Sequence, residues 1–190
     1  MDETAIERAS ALENHYKLGH FGDKPESNII FHELKNLKLY QIAFWPNTQK
    51  DLEANLLRLT NIKSIPKPNR SIFYNNIALL RIEPLKVWLL GSEAPPLQPK
   101  EAVVLDLSHS RLHLQISGPQ TTALLNSFLP IDLRKAAFPQ GKSISTSFHH
   151  VGITLWRTKA EYNLFIPRGF ALSLWELLLE GAAQFGYDVT

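Results

Sequence analysis

Fourteen residues, Asp106 through Pro119, constrain this chain more tightly than any other stretch. They run Asp106-Leu107-Ser108-His109-Ser110-Arg111, then Leu112-His113-Leu114-Gln115, then Ile116-Ser117-Gly118-Pro119. The apolar flanks predict the end of one strand and the whole of a second, with a tight reversal between them. Pro119 predicts a helix start, where its missing N–H costs nothing. The same residues offer a Ser, two His, an Arg and an Asp, so the stretch is either a site or a folding device.

Strand geometry favours the folding device. Neighbouring residues on a strand point to opposite faces, so Ser108 and His109 cannot pair as nucleophile and base there. In the turn, Asp106 and Ser108 are expected to supply capping oxygens, with His109 and Arg111 at the exposed tip. A metal site fares no better. His109 and His113 would stand roughly 13 Å apart along a strand, whereas metal-bound imidazoles converge on one ion. His149 and His150 would diverge, and no acidic cluster supplements them. The expectation is no catalytic residue and no metal ligand in this chain.

Composition removes further classes. The chain has 190 residues, 44% hydrophobic and 20% charged, ordinary values for a globular domain. Its net charge of +2 is interspersed, so nucleic acid is not an expected partner. Lys63, Lys67 and Arg70 fall in a loop broken by Pro66 and Pro68. With no Cys there is neither disulfide nor thiolate chemistry. The first residues lack a signal pattern and no apolar run reaches membrane length, which fits a cytoplasmic protein without a membrane partner. The nine glycines form no phosphate-binding fingerprint.

Along the chain, residues 1–28 read as a polar arm with a short helix around Thr4 to Leu18, either disordered or ordered against a partner. Residues 29–190 read as one domain of two halves, about 29–93 and 102–186, separated by Ala94-Pro95-Pro96-Leu97-Gln98-Pro99. Strands at 29–31 and 38–44 are joined by a turn near Lys35-Asn36. Asn47 or Thr48 caps a helix carrying Leu52, Leu56, Leu57 and Leu59, and a meander of three strands follows. The second half repeats the order. Strands at 102–107 and 112–117 precede a helix over 122–128, then strands at 143–148, 151–157 and 162–166. A last amphipathic helix runs from about Gly169 to Phe185, with Phe170, Leu174, Trp175, Leu177, Leu178 and Ala182 available to its buried face. The fold class is α+β, with two strand-strand-helix-three-strand halves packed together. Trp45, Trp88, Trp156 and Trp175 are expected to pack in the core or an interface. Arg157 and Arg168, near a helix entrance, suit either an anion or surface ion pairs, the latter favoured. With His109 and Arg111 they form the ligand-binding candidates.

The residues from 28 to 186 resemble the gamma subunit of heterotetrameric sarcosine oxidase. The segments that carry this are Val87-Trp88-Leu89-Leu90-Gly91, Asp106 to Arg111, Ile116 to Pro119, Pro130-Ile131-Asp132-Leu133, Ala137-Phe138-Pro139-Gln140-Gly141, His150 to Arg157, and Ile166-Pro167-Arg168 through Leu174-Trp175-Glu176. Ser10-Ala11-Leu12 of the arm also looks like that family. The chain is more distantly similar to the aminomethyltransferase of the glycine cleavage system, whose folate-binding domain has a comparable Asp-Leu-Ser-His turn and Ser-Gly-Pro helix start. The resemblance implies a folate-binding-domain-like fold of two related halves. It implies a place in a complex that demethylates sarcosine to glycine, passes the one-carbon unit to tetrahydrofolate and forms peroxide. FAD, FMN, NAD and tetrahydrofolate would then sit in partner subunits, named alpha, beta and delta, with none in this chain. Gly152 looks like the counterpart of the catalytic aspartate in the aminomethyltransferases, and a glycine cannot move a proton. The expected role is therefore assembly and stability. The alternatives are a free-standing folate-binding or aminomethyltransferase-like protein, and the corresponding subunit of an N-methylglutamate dehydrogenase-like complex.

Overall fold

A computed structural model describes residues 9–190. Two sheets lie face to face and each carries helices on its outer side, so the central strands are apolar on both faces. The elements of the first part are β1 (Gly19–Phe21), β2 (Ile29–Glu33), β3 (Leu39–Phe44), α1 (Gln49–Thr60), β4 (Arg70–Tyr74), β5 (Ile77–Glu83) and β6 (Lys86–Leu90). The second part contributes β7 (Ala102–Asp106), β8 (Arg111–Ser117), α2 (Thr121–Asn126), β9 (Ser143–Phe148), β10 (Val151–Arg157), β11 (Tyr162–Pro167), α3 (Ala171–Ala183) and β12 (Tyr187–Val189).

The seven-stranded sheet has the order β1-β12-β2-β8-β11-β10-β9 and the five-stranded sheet the order β4-β5-β6-β3-β7. Among the described residues only β12 and β2 pair in parallel; the other ladders are antiparallel. Strands are exchanged between the parts: β2 pairs with β8, and β7 pairs with β3. The run β9-β10-β11-β8-β2 thus has the same form as β4-β5-β6-β3-β7. The helices do not match as closely, α2 spanning 6 residues and α1 spanning 12.

Period-two alternation distributes the side chains into three cores. Leu39, Leu80 and Trp88 meet Leu107, Trp156 and Phe165 between the sheets. Ile42, Leu79 and Leu89 pack under Leu52 and Leu56 of α1. Phe31, Leu114 and Leu164 pack under Leu174, Trp175 and Leu178 of α3. This is why Ile77-Ala78-Leu79-Leu80 reads as a continuous apolar run: Leu79 faces α1 while Ala78 and Leu80 face the other sheet.

Several expectations are corrected. The turn expected between β2 and β3 is present at Asn36 (φ 56°), but it carries the chain from one sheet to the other. Likewise the reversal after Asp106 crosses between sheets. Asp106 Oδ1 caps it by accepting the Ser108 N–H at 2.8 Å. Ser108 is buried instead of capping, and its Oγ accepts the Leu39 N–H at 3.0 Å, fastening the turn to β3. Gly118 has φ +108°, and a Cβ there would lie 2.3 Å from the Asn28 carbonyl oxygen, so only glycine lets β8 leave past β2. Pro119 precedes the cap residue Gln120, and α2 is shorter than its predicted span. Trp45 lies beyond the end of β3 and is 48% exposed. Phe170, assigned to a buried helix face, is exposed.

Residues 9–28 of the arm pack against the body of the fold. The predicted helix from Thr4 falls partly outside the described residues, and its remainder is a turn over 11–15. Leu12 is fully buried, Tyr16 stacks on Trp175 at 5.3 Å, and β1 pairs with β12. Tyr16 Oη accepts the Glu33 N–H at 2.7 Å and reaches the Thr190 carbonyl at 3.1 Å. Burial pushes the Tyr16 hydroxyl up to about 12. No helix among the described residues is long and apolar enough to cross a membrane.

Candidate functional site

Strand alternation that builds the inter-sheet core also places polar groups in it. On β8, Leu112, Leu114 and Ile116 face α3, so His113 and Gln115 face the other sheet. On β11, Asn163 sits opposite Gln115 and Trp156 of the flanking strands, on that same face. These side chains border a cavity of about 780 Å³ whose walls include Phe73, Leu90 and Trp156. Asn163 is fully buried; its Oδ1 accepts from His113 Nε2 at 2.8 Å and from Gln115 Nε2 at 3.2 Å. Because Asn163 Oδ1 can only accept, His113 carries its proton on Nε2. Burial holds this imidazole down to about 4, against a weaker upward pull from Asn163, and it is neutral. The ring stacks on Phe165 at 4.4 Å. Asn163 Nδ2 is a buried donor without a partner among the described residues.

Trp156 forms an aromatic wall. Its Nε1 donates to Ser71 Oγ at 2.6 Å and its ring lies 6.2 Å from that of Phe73. Gly152 shares the face of Trp156 but stands exposed at the far end of β10, with no atom within 4 Å of an added Cβ. It borders neither this cavity nor the smaller one described next.

That smaller cavity, about 280 Å³, collects three of the four predicted ligand-binding residues: His109, Arg111 and Arg168. Arg111, expected at an exposed tip, is half-buried at the start of β8, and among the described residues its Nη1 meets only the Ser110 carbonyl at 3.0 Å and hydroxyl at 3.4 Å. Burial lowers its proton affinity. Arg168 donates to the Ala9 carbonyl at 2.9 Å. Arg157 borders the larger cavity instead, and its Nη1 donates to the carbonyls of Leu133 (3.1 Å) and Phe138 (2.7 Å) while the guanidinium covers Tyr162. Neither Arg157 nor Arg168 makes a surface ion pair among the described residues. Both tie backbone segments together. No group of three or more His, Asp or Glu side chains suited to a metal occurs among the described residues.

Sequence reasoning missed Gln115, Asn163 and Glu33, and treated His113 only as a rejected metal ligand. One signal was present: Arg111, His113, Gln115 and Ser117 alternate with apolar residues on a strand whose polar face proves to be covered.

No protein-family model matches the chain. Curated relatives do. It is 33% identical over 91 residues to the sarcosine oxidase subunit gamma of an Arthrobacter species, covering 48% of this chain and 45% of the relative. It is also 33% identical over 110 residues to the protein of that name from Corynebacterium sp. strain P-1, covering 57% and 54%. The sequence resemblance is borne out. In these matches the chain spans about half the length of the curated relatives. Among solved structures, heterotetrameric sarcosine oxidase from Corynebacterium sp. U-96 contains a chain that superposes with a TM-score of 0.76 at 20% identity, covering 94% of this chain and 96% of that one. The glycine cleavage system aminomethyltransferase T of Bartonella henselae superposes with a TM-score of 0.52 at 17% identity, covering 86% and 47%. The fold is α+β and aminomethyltransferase-like, as the strand-turn-strand-helix unit at Asp106 to Pro119 led us to expect.

Proposed function

We propose that this chain is a non-catalytic subunit of a sarcosine-oxidase-type complex, acting in assembly and stability. The observation that carries the proposal is its likeness to subunits named sarcosine oxidase gamma, joined to a fold that superposes along nearly the whole of a chain from the heterotetramer. The site chemistry is compatible. Gly152 offers no acid, and His113 is held neutral by burial and engaged by Asn163. Partner subunits of the alpha, beta and delta kind would carry the flavins, dinucleotide and tetrahydrofolate, in a cytoplasmic complex. The purified chain is expected to be colourless and without sarcosine turnover. Co-expression with its partners should give a flavin-bearing complex that contains it. An equally stable and active complex assembled without it overturns the proposal.

A second reading is a free-standing folate-binding or aminomethyltransferase-like protein, favoured by the 780 Å³ cavity and the unused Asn163 Nδ2. Trp156 in the cavity wall supplies the probe. Micromolar quenching of its fluorescence by tetrahydrofolate, lost in Asn163→Leu, supports this reading, and an unchanged signal removes it.

A further inference from the structure

The smaller cavity contains an incomplete arrangement of charge. Glu33, at the end of β2, is 7% exposed. Its Oε1 accepts the Ser10 hydroxyl at 2.5 Å, but its Oε2 is buried with no partner among the described residues. A buried carboxylate oxygen without a donor is strongly disfavoured. Glu33 borders the same cavity as Lys35, Arg111 and Arg168. Among the described residues neither arginine pairs with Glu33 or with Glu13, the other carboxylate in the wall. The half-buried Arg111 guanidinium, satisfied among the described residues only by Ser110, retains donors for a planar anion.

We propose that this cavity binds a small zwitterionic α-amino acid, its ammonium group donating to Glu33 Oε2 and its carboxylate received by Arg111. A simple anion would bring a second negative charge beside Glu33. A simple cation would meet Lys35, Arg111 and Arg168. A zwitterion answers both signs. The volume of about 280 Å³ lies just below the range of drug-sized sites and suits a compact metabolite. Occupancy also bears on the arm. The carboxylate that takes the ammonium holds Ser10, and the Glu33 N–H holds Tyr16, so the ligand tightens residues 10–16 against the sheet. This inference is independent of the assembly role.

Thermal shift and calorimetry on the full chain test it, with glycine and L-alanine as probes and acetate, methylammonium and glycine betaine as controls. At about a hundred times its dissociation constant a bound amino acid should raise the melting temperature by roughly 5 °C or more. It should also slow amide exchange in the arm. Acetate and methylammonium, each with half the charge pattern, and betaine, with no N–H, should leave the melting temperature unchanged. Glu33→Gln and Arg111→Met should abolish the shift while Lys100→Ala, at an exposed residue outside the cavity, keeps it. Because Glu33→Gln also loosens the arm, Arg111→Met decides, its side chain making no hydrogen bond to the arm. No shift with either amino acid at tens of millimolar, an equal shift with acetate, or an unaltered shift in Arg111→Met overturns the proposal.

Discussion

Protonating His113 should cost this fold its acid stability, and the cost can be worked through. The imidazole is 4% exposed, with its proton affinity lowered from 6.5 to about 4, first by burial and to a smaller degree by His32. In the unfolded chain it titrates near 6.5. Above that value the ring is neutral in both states and no penalty exists. As pH falls from 6.5 the unfolded chain takes up the proton and the folded one does not, so folding weakens with each unit until about 4. At 1.36 kcal/mol per unit, 2.5 units amount to about 3 kcal/mol. His113→Gln isolates this contribution, since it keeps an amide donor toward Asn163 but cannot titrate. At pH 7 the variant should be the less stable by roughly 1–2 kcal/mol, having lost the stack on Phe165. The gap should close on acidification and reverse by pH 4. Urea midpoints for both proteins from pH 7 to 4 measure it, the other titrating groups cancelling in the difference. A gap that stays constant across that range refutes the reasoning.

Other substitutions test the joints of the fold. Gly118→Ala, which sets a Cβ 2.3 Å from the Asn28 carbonyl oxygen at φ +108°, should cost about 3 kcal/mol and lower the melting temperature by roughly 6–12 °C in calorimetry. Ser108→Ala leaves the Leu39 N–H without its buried acceptor and should cost about 1–3 kcal/mol in chemical denaturation. His20 is raised above 6.5, chiefly by its hydrogen bond to Asp188 at 2.7 Å. Its pairing with Asp188 therefore supports folding below 6.5 and fades as pH rises through the folded value. An imidazole NMR titration should show a raised midpoint that returns toward 6.5 in Asp188→Asn.

What the sequence made legible follows from the range of each interaction. The helix α1, the meander β4-β5-β6 and most of α3 announce themselves through local periodicity, with Leu52 and Leu56 or Leu174 and Leu178 one turn apart. The partner of a strand is not local information. Nothing in Ile29-Ile30-Phe31 says that it pairs with Ile116 and Ser117 rather than with the next strand along. Short strands fare worst: Tyr187–Val189 has too few residues to display a period, and its place is set by β2. The site was half legible for the same reason. Polar residues alternating along β8 reveal a polar face, but only the second sheet makes that face buried, turning His113 and Gln115 from surface side chains into the bed of a cavity.

The exchange of β2 and β7 between sheets has a mechanical consequence. A chain whose halves each kept their own strands could part along the inter-sheet layer like a book, with the 91–101 segment as its spine. Here β2 is laced into the sheet built mainly by the second part and β7 into that of the first. Separating the sheets would require the turn at Asn36 and the Asp106–Ser108 turn to stretch, or a full ladder to break. Force applied to one outer face is therefore delivered to the other. Cleaving the 91–101 segment should leave two fragments that hold together until they unfold together.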